Sequence, residues 1–192
     1  MMDAILFSNK VMKDLSLHIL DIVQNSITAK ATLIQIAIVE DTVADTYTIT
    51  ITDNGYGIPP DMLARVTDPY TTSRTTRKVG LGIPLFKQNA ERTGGGLTIT
   101  SEVGKGTVLT AVFVHSNIDR PALGDIAGVV VILVSANPSI DFVYTHAVNK
   151  QSYVFDTRDV REALDGIPLN EPSVIPLLKE MIAANLEELQ IG

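Results

Sequence analysis

Asp21 and Asn25 stand four residues apart in a segment whose apolar residues recur at helical spacing, so a carboxylate and an amide share one face of a helix. The carboxylate can accept a proton, and the amide oxygen can ligate a hard cation. Downstream, Asp53-Asn-Gly55-Tyr-Gly57-Ile58-Pro59 puts an acceptor at the end of an alternating segment and follows it with glycines that permit a tight turn. Gly80-Leu81-Gly82 then opens a helix. Between positions 69 and 90 lie Arg74, Arg77, Lys78 and Lys87 and no acidic residue. Helix-terminal N–H groups with guanidinium groups nearby suit a polyanion such as a triphosphate.

Other chemistries are excluded. No Gly-x-x-x-x-Gly-Lys-Ser/Thr run exists, and Leu85 stands where a Gly-x-Gly-x-x-Gly motif needs its last glycine. Zero cysteines remove thiolate metal sites, disulfides and a Cys nucleophile. His18, His115 and His146 lack metal-ligand spacing; the last two are read as structural or exposed.

The elements that must carry these residues follow from periodicity. Residues 15–29 form an amphipathic helix with Ile19, Leu20, Val23 and Ile27 on one side and His18, Asp21, Asn25 and Thr28 on the other. Ile34, Ile36 and Ile38 alternate, as do Tyr47, Ile49 and Ile51 among threonines, giving two half-buried strands. A short helix over 61–66, a hydroxyl-rich loop over 69–79, a helix over 81–92 and a hairpin over 97–114 complete this part. The expected fold is an α/β two-layer sandwich with helices on one face of a mixed sheet. The tail reads as strands at 128–135, 141–148 and 152–155, a helix at 158–164 and another after 173. The division is residues 1–116 as a first domain and 117–192 as an extension of unassigned role.

The order Asn25, Asp53-Asn-Gly55-Tyr-Gly57, Gly80-Leu81-Gly82, then Gly104-Lys105-Gly106-Thr107, resembles the N box and glycine boxes of the GHKL ATPase superfamily: gyrase, the ninety-kilodalton heat-shock chaperone, histidine kinases and MutL. The resemblance covers residues 14–114 and implies the Bergerat ATP-binding fold. It implies that Asp53 accepts from the adenine amine with Thr107 in support, that Gly55, Gly57 and Ile58 make room for the base, and that Asn25 holds Mg²⁺. Arg74, Arg77, Lys78, Gly80, Leu81 and Gly82 would receive the phosphates from a mobile lid. Asp21 occupies the position of the general base in the chaperone and MutL branches. Around Asn25 the pattern looks more like MutL, with Thr28 in place of an aspartate; from Asp68 onward it is similar to histidine kinase catalytic domains. No phosphoacceptor hairpin fits before residue 15, so His18 is expected to pack beside the site rather than to accept phosphate.

With 15 basic and 22 acidic residues, the net charge of −7 argues against general binding to nucleic acid or anionic lipid. The longest apolar run, 127–134, is too short to cross a bilayer, and no signal-peptide pattern opens the chain, so a cytoplasmic location without membrane insertion is expected. The reading is a stand-alone Mg-ATP-binding, histidine kinase-like domain that phosphorylates or regulates a separate protein, with self-association open. A non-catalytic ATP sensor and a MutL-like ATPase are the competing readings.

Overall fold

The computed structural model describes residues 14–66 and 82–191. Six strands form one sheet: β1 (Leu33–Asp41), β2 (Thr46–Asp53), β3 (Gly96–Glu102), β4 (Gly106–Val114), β5 (Asp141–Val148) and β6 (Gln151–Asp156). Their order is β3-β4-β2-β1-β5-β6. Every pairing is antiparallel except that of β1 with β5. The helices are α1 (Leu15–Thr28), α2 (Pro60–Val66), α3 (Gly82–Arg92), α4 (Ile126–Ala136), α5 (Thr157–Ala163) and α6 (Val174–Ile191).

Period-two patterning sorts the sheet into two faces. Ile34, Ile36 and Ile38 on β1, Tyr47, Ile49 and Ile51 on β2, and Leu109, Ala111 and Phe113 on β4 are all buried. Residues of opposite parity, Gln35, Ala37 and Val39 or Thr48, Thr50 and Thr52, are half-buried or exposed. The buried parity is continued by Phe142 and Tyr144 on β5 and Phe155 on β6, so the tail extends the same sheet and core. Helix α1 packs against α3 on one side and α4 on the other, and α4 packs against α6.

One expectation is corrected. Residues 126–136 are helical, not a strand. Eight consecutive apolar residues with many valines suit a buried strand, but a helix enclosed on most sides also loses its periodicity. Here Val129, Val130, Val131, Leu133 and Val134 are all buried, and Asp125 caps the helix by accepting from the Gly128 N–H at 2.8 Å. His18, on the polar side of the helical wheel, is packed as expected, at 1% exposure. It is sandwiched between α1 and α3, its ring stacked on Phe86 at 5.2 Å and its Nε2 3.0 Å from the Asn89 amide. Burial pushes its pKa down despite the nearby Asp21 carboxylate.

The start of α1 is held by the connector after β4: Leu15 and Ser16 donate their N–H groups to the carbonyls of Ala122 and Leu123, at 2.9 and 2.8 Å. Two of the donors that open a helix are thereby satisfied without a side-chain cap.

Candidate functional site

Strand register creates the floor of a cleft. Ser101, Thr107 and Asp53 lie side by side on β3, β4 and β2, on the face that looks toward the helices. Helix α1 passes above this polar row and ends there. Ile22, Asn25, Ser26 and Ala29 from α1, with Ile51, Asp53, Gly57, Ile58, Ile83, Ile99, Thr107 and Leu109, line one cleft. Its walls are mostly branched aliphatic side chains, suited to a flat apolar ring, and its polar groups converge at one end.

Asp53 is held by two donors. Ser26 Oγ donates to one carboxylate oxygen at 2.7 Å, and the Gly55 N–H donates to the other at 2.9 Å. Each oxygen keeps a lone pair, so the carboxylate can accept again. Ser26 is buried next to Ile22 and Val23, where its hydroxyl would be costly without this acceptor. Sequence reasoning missed it; a serine between Ile22, Val23 and Ile27 was the available signal.

The turn after Asp53 is fixed by backbone contacts that explain its glycines. Asn54 accepts from the Thr32 and Leu33 N–H groups and donates to Thr32 Oγ1, tying the turn to the start of β1. The Tyr56 N–H donates to the Ala29 carbonyl at 2.9 Å. Gly57 has φ +73°, and a Cβ there would meet the Glu102 carbonyl oxygen at 2.2 Å, so this position admits only glycine. The Ile58 N–H donates to Ser101 Oγ, which also donates to the Gly106 carbonyl and pairs with Thr107 Oγ1 at 2.9 Å. Thr107 therefore stands beside Asp53 in register, anchored through Ser101. Ser101 was not singled out from the sequence.

Asn25 is exposed at the cleft mouth, and its side-chain amide has no hydrogen bond to a described residue. Asp21, one turn earlier, lies against the first residue of α3: a Cβ on Gly82 would come 1.8 Å from Asp21 Oδ2. Of the residues expected at the site, Asn25, Asp53, Gly57, Ile58 and Thr107 line this cleft, Gly55 donates to Asp53, and Asp21 and Gly82 lie against each other next to the lining residues Ile22 and Ile83. Lys87 instead faces Glu91 at 3.7 Å. Arg74, Arg77, Lys78, Gly80 and Leu81, and the loop over 69–79 expected to act as a lid, lie outside the described residues. Among the described residues no cluster of three acidic or histidine side chains could hold a metal. No helix among them is long and apolar enough to cross a membrane.

A second polar cluster lies at the far end of the same strands. Glu40 accepts from His146 Nε2 at 2.7 Å with one oxygen and from His115 Nε2 at 3.1 Å with the other, and Tyr144 Oη pairs with His146 Nδ1 at 2.8 Å. Arg120 stacks over the Tyr47 ring at 4.5 Å and donates to the His115 carbonyl.

Residues 11–117 match the family described as histidine kinase-, DNA gyrase B- and HSP90-like ATPase. Sensor histidine kinase ZraS of Salmonella typhimurium is 39% identical over 66 residues, which are 34% of this chain and 14% of that one. Sensor kinase CckA of Brucella abortus is 38% identical over 65 residues, 33% of this chain and 7% of that protein. The chain thus matches only a small part of these curated relatives. In three dimensions the fold is similar to the N-terminal domain of a DNA repair protein, with TM-score 0.55 and 19% identity over 78% of this chain and 54% of that one. The family match spans more than half of the sequence: the chain belongs to the histidine kinase-, DNA gyrase B- and HSP90-like ATPases.

Proposed function

We propose that this chain binds Mg-ATP in the Asp53 cleft and uses it to phosphorylate or regulate a separate protein. The observation that carries the reading is the Ser26–Asp53–Gly55 network: an oriented carboxylate at the polar end of an aliphatic slot, with capacity to accept one more hydrogen bond. An adenine ring in that slot would present its exocyclic amine to Asp53, with Ile58, Ile83 and Ile99 against its faces. Both similar sensor kinases match over about a third of this chain, which favours the kinase reading.

Asn25, with its amide uncommitted at the cleft mouth, fits one protein ligand of a Mg²⁺ ion. Such an ion commonly takes one or two protein oxygens and completes its shell with phosphate oxygens and water. It would supply charge neutralisation on the phosphates. Asp21 shares a helix face with Asn25 and lies against the start of α3, and its carboxylate would be the group to take a proton from an attacking hydroxyl or water. Gly82 leaves the space Asp21 needs. Catalysis of this kind is mostly positioning and electrostatic stabilisation.

The test uses radiolabelled ATP with free phosphate and labelled protein read separately, alongside calorimetric titration of Mg-ATP. Labelled protein supports a kinase, free phosphate an ATPase, and binding without either a nucleotide sensor; no binding at all rejects the proposal. Asp21→Asn is expected to lower turnover while leaving nucleotide affinity within about twofold.

A further inference from the structure

We propose that the open face of the sheet, opposite the helices, is a homodimer interface on which a second copy of this chain packs sheet to sheet. Its middle row runs Thr98, Thr110, Thr50, Ala37, Thr145 and Val154 across all six strands. With the rows on either side, eighteen outward positions contain no Lys, Arg or Glu, and their one acid, Asp156, sits at a corner paired with Arg158. A solvated surface is roughly 25–35% charged, so about five charges belong on a patch of this size. Instead it is built of threonine, valine and alanine, with Val39, Val108 and Val154 exposed at 42%, 37% and 55%.

Three features select a second copy as the occupant. The chain carries −7, so two copies repel through any face that shares this charge; this face lets them meet without like charges opposed. A basic partner would be drawn to the acidic surfaces, and this one offers it no ion pair. Threonine hydroxyls both donate and accept, so one patch of them can satisfy an identical patch related by a two-fold axis. Two sheets of β-branched side chains pack at about 10 Å, close to parallel. From strand and residue spacings the three rows span about 30 by 20 Å, roughly 600 Å² per copy. Both copies together then bury about 1,200 Å², the lower end of the range for stable interfaces.

Sedimentation equilibrium across a concentration series tests the idea. Wild type is expected to be dimeric, and Thr50→Lys or Val39→Glu to weaken association at least tenfold with unchanged circular dichroism. Leu177→Lys, at an exposed site on α6, is expected to leave the dimer intact. A monomeric wild type, a dimer that survives both face variants, or one lost only in Leu177→Lys overturns the proposal. The chain has no cysteine, so spin labels on Val39→Cys and Leu177→Cys give a readout that needs no disruptive charge. The inter-copy distance is expected to be shorter from position 39; a shorter one from 177 also overturns it.

Discussion

The two ends of β1 and β2 carry contrasting polar clusters on the same face of the same sheet. At one end Asp53 is held by a serine hydroxyl and a backbone N–H and opens onto a cleft. At the other, Glu40 spends both oxygens on His115 and His146, and Tyr144 closes the network behind them. Each carboxylate receives one donor per oxygen; what differs is that Asp53 lines a cleft while Glu40 is flanked by two histidine rings. What marks a residue kept for a ligand is less the number of donors it already receives than whether its remaining lone pairs border a cleft.

The comparison is broken most severely by emptying the histidine-flanked end. Glu40→Ala leaves two histidines facing a void and should destabilise the protein by about 3 kcal/mol, read by urea denaturation, while Mg-ATP affinity measured on folded protein changes little. Burial alone would raise the Glu40 pKa, but the hydrogen bonds and charges of His146 and His115 outweigh it and lower the value. The lowered folded-state pKa means Glu40 stabilises the protein fully above its unfolded value, near 4.3, and loses that contribution as pH falls through the folded value. Acid unfolding below about pH 4.3 should therefore be steeper for wild type than for Glu40→Gln.

The reciprocal change at the open end is Asp53→Asn. It exchanges an acceptor for an amide and should weaken Mg-ATP binding on the order of 10- to 100-fold with a stability change under about 1 kcal/mol. Calorimetry and denaturation on the same sample decide; a large stability loss with intact binding would reverse the assigned roles of the two ends.

Two tyrosines give the finest test. Tyr144→Phe removes the partner of His146 Nδ1 and should cost about 1 kcal/mol. The buried Tyr47 hydroxyl has no hydrogen-bond partner among the described residues. Tyr47→Phe should therefore be neutral or stabilising by up to about 1 kcal/mol, because an unsatisfied buried hydroxyl is removed. Thermal unfolding of both variants, run in parallel, separates them; equal losses would show that Tyr47 Oη is satisfied in solution.

The open end was the more legible one because its information is local. The turn Asp53-Asn-Gly55-Tyr-Gly57 declares itself by its glycines and by the alternating strand before it. Ser26 is less visible, since it works across 27 positions and resembles any serine on a helix. The Glu40 network joins residues 75 and 106 positions apart, and no spacing rule connects them. Residues 126–136 were misread for a different reason: a helix buried on most sides presents no polar stripe from which to count a period.

The parallel pairing of β1 with β5 also has a consequence for synthesis. Ile36 meets Tyr144 only after more than a hundred further residues have been made, and until then β1 presents an unpaired edge of alternating isoleucines. At about 5–20 residues per second, the interval between completion of β4 and completion of β5 lasts roughly 2–7 s. A nascent chain with such an exposed edge invites β-pairing with its neighbours. Chains truncated after residue 116 keep that edge permanently, and they should accumulate as insoluble protein even though the cleft residues from Asp21 to Thr107 are all present.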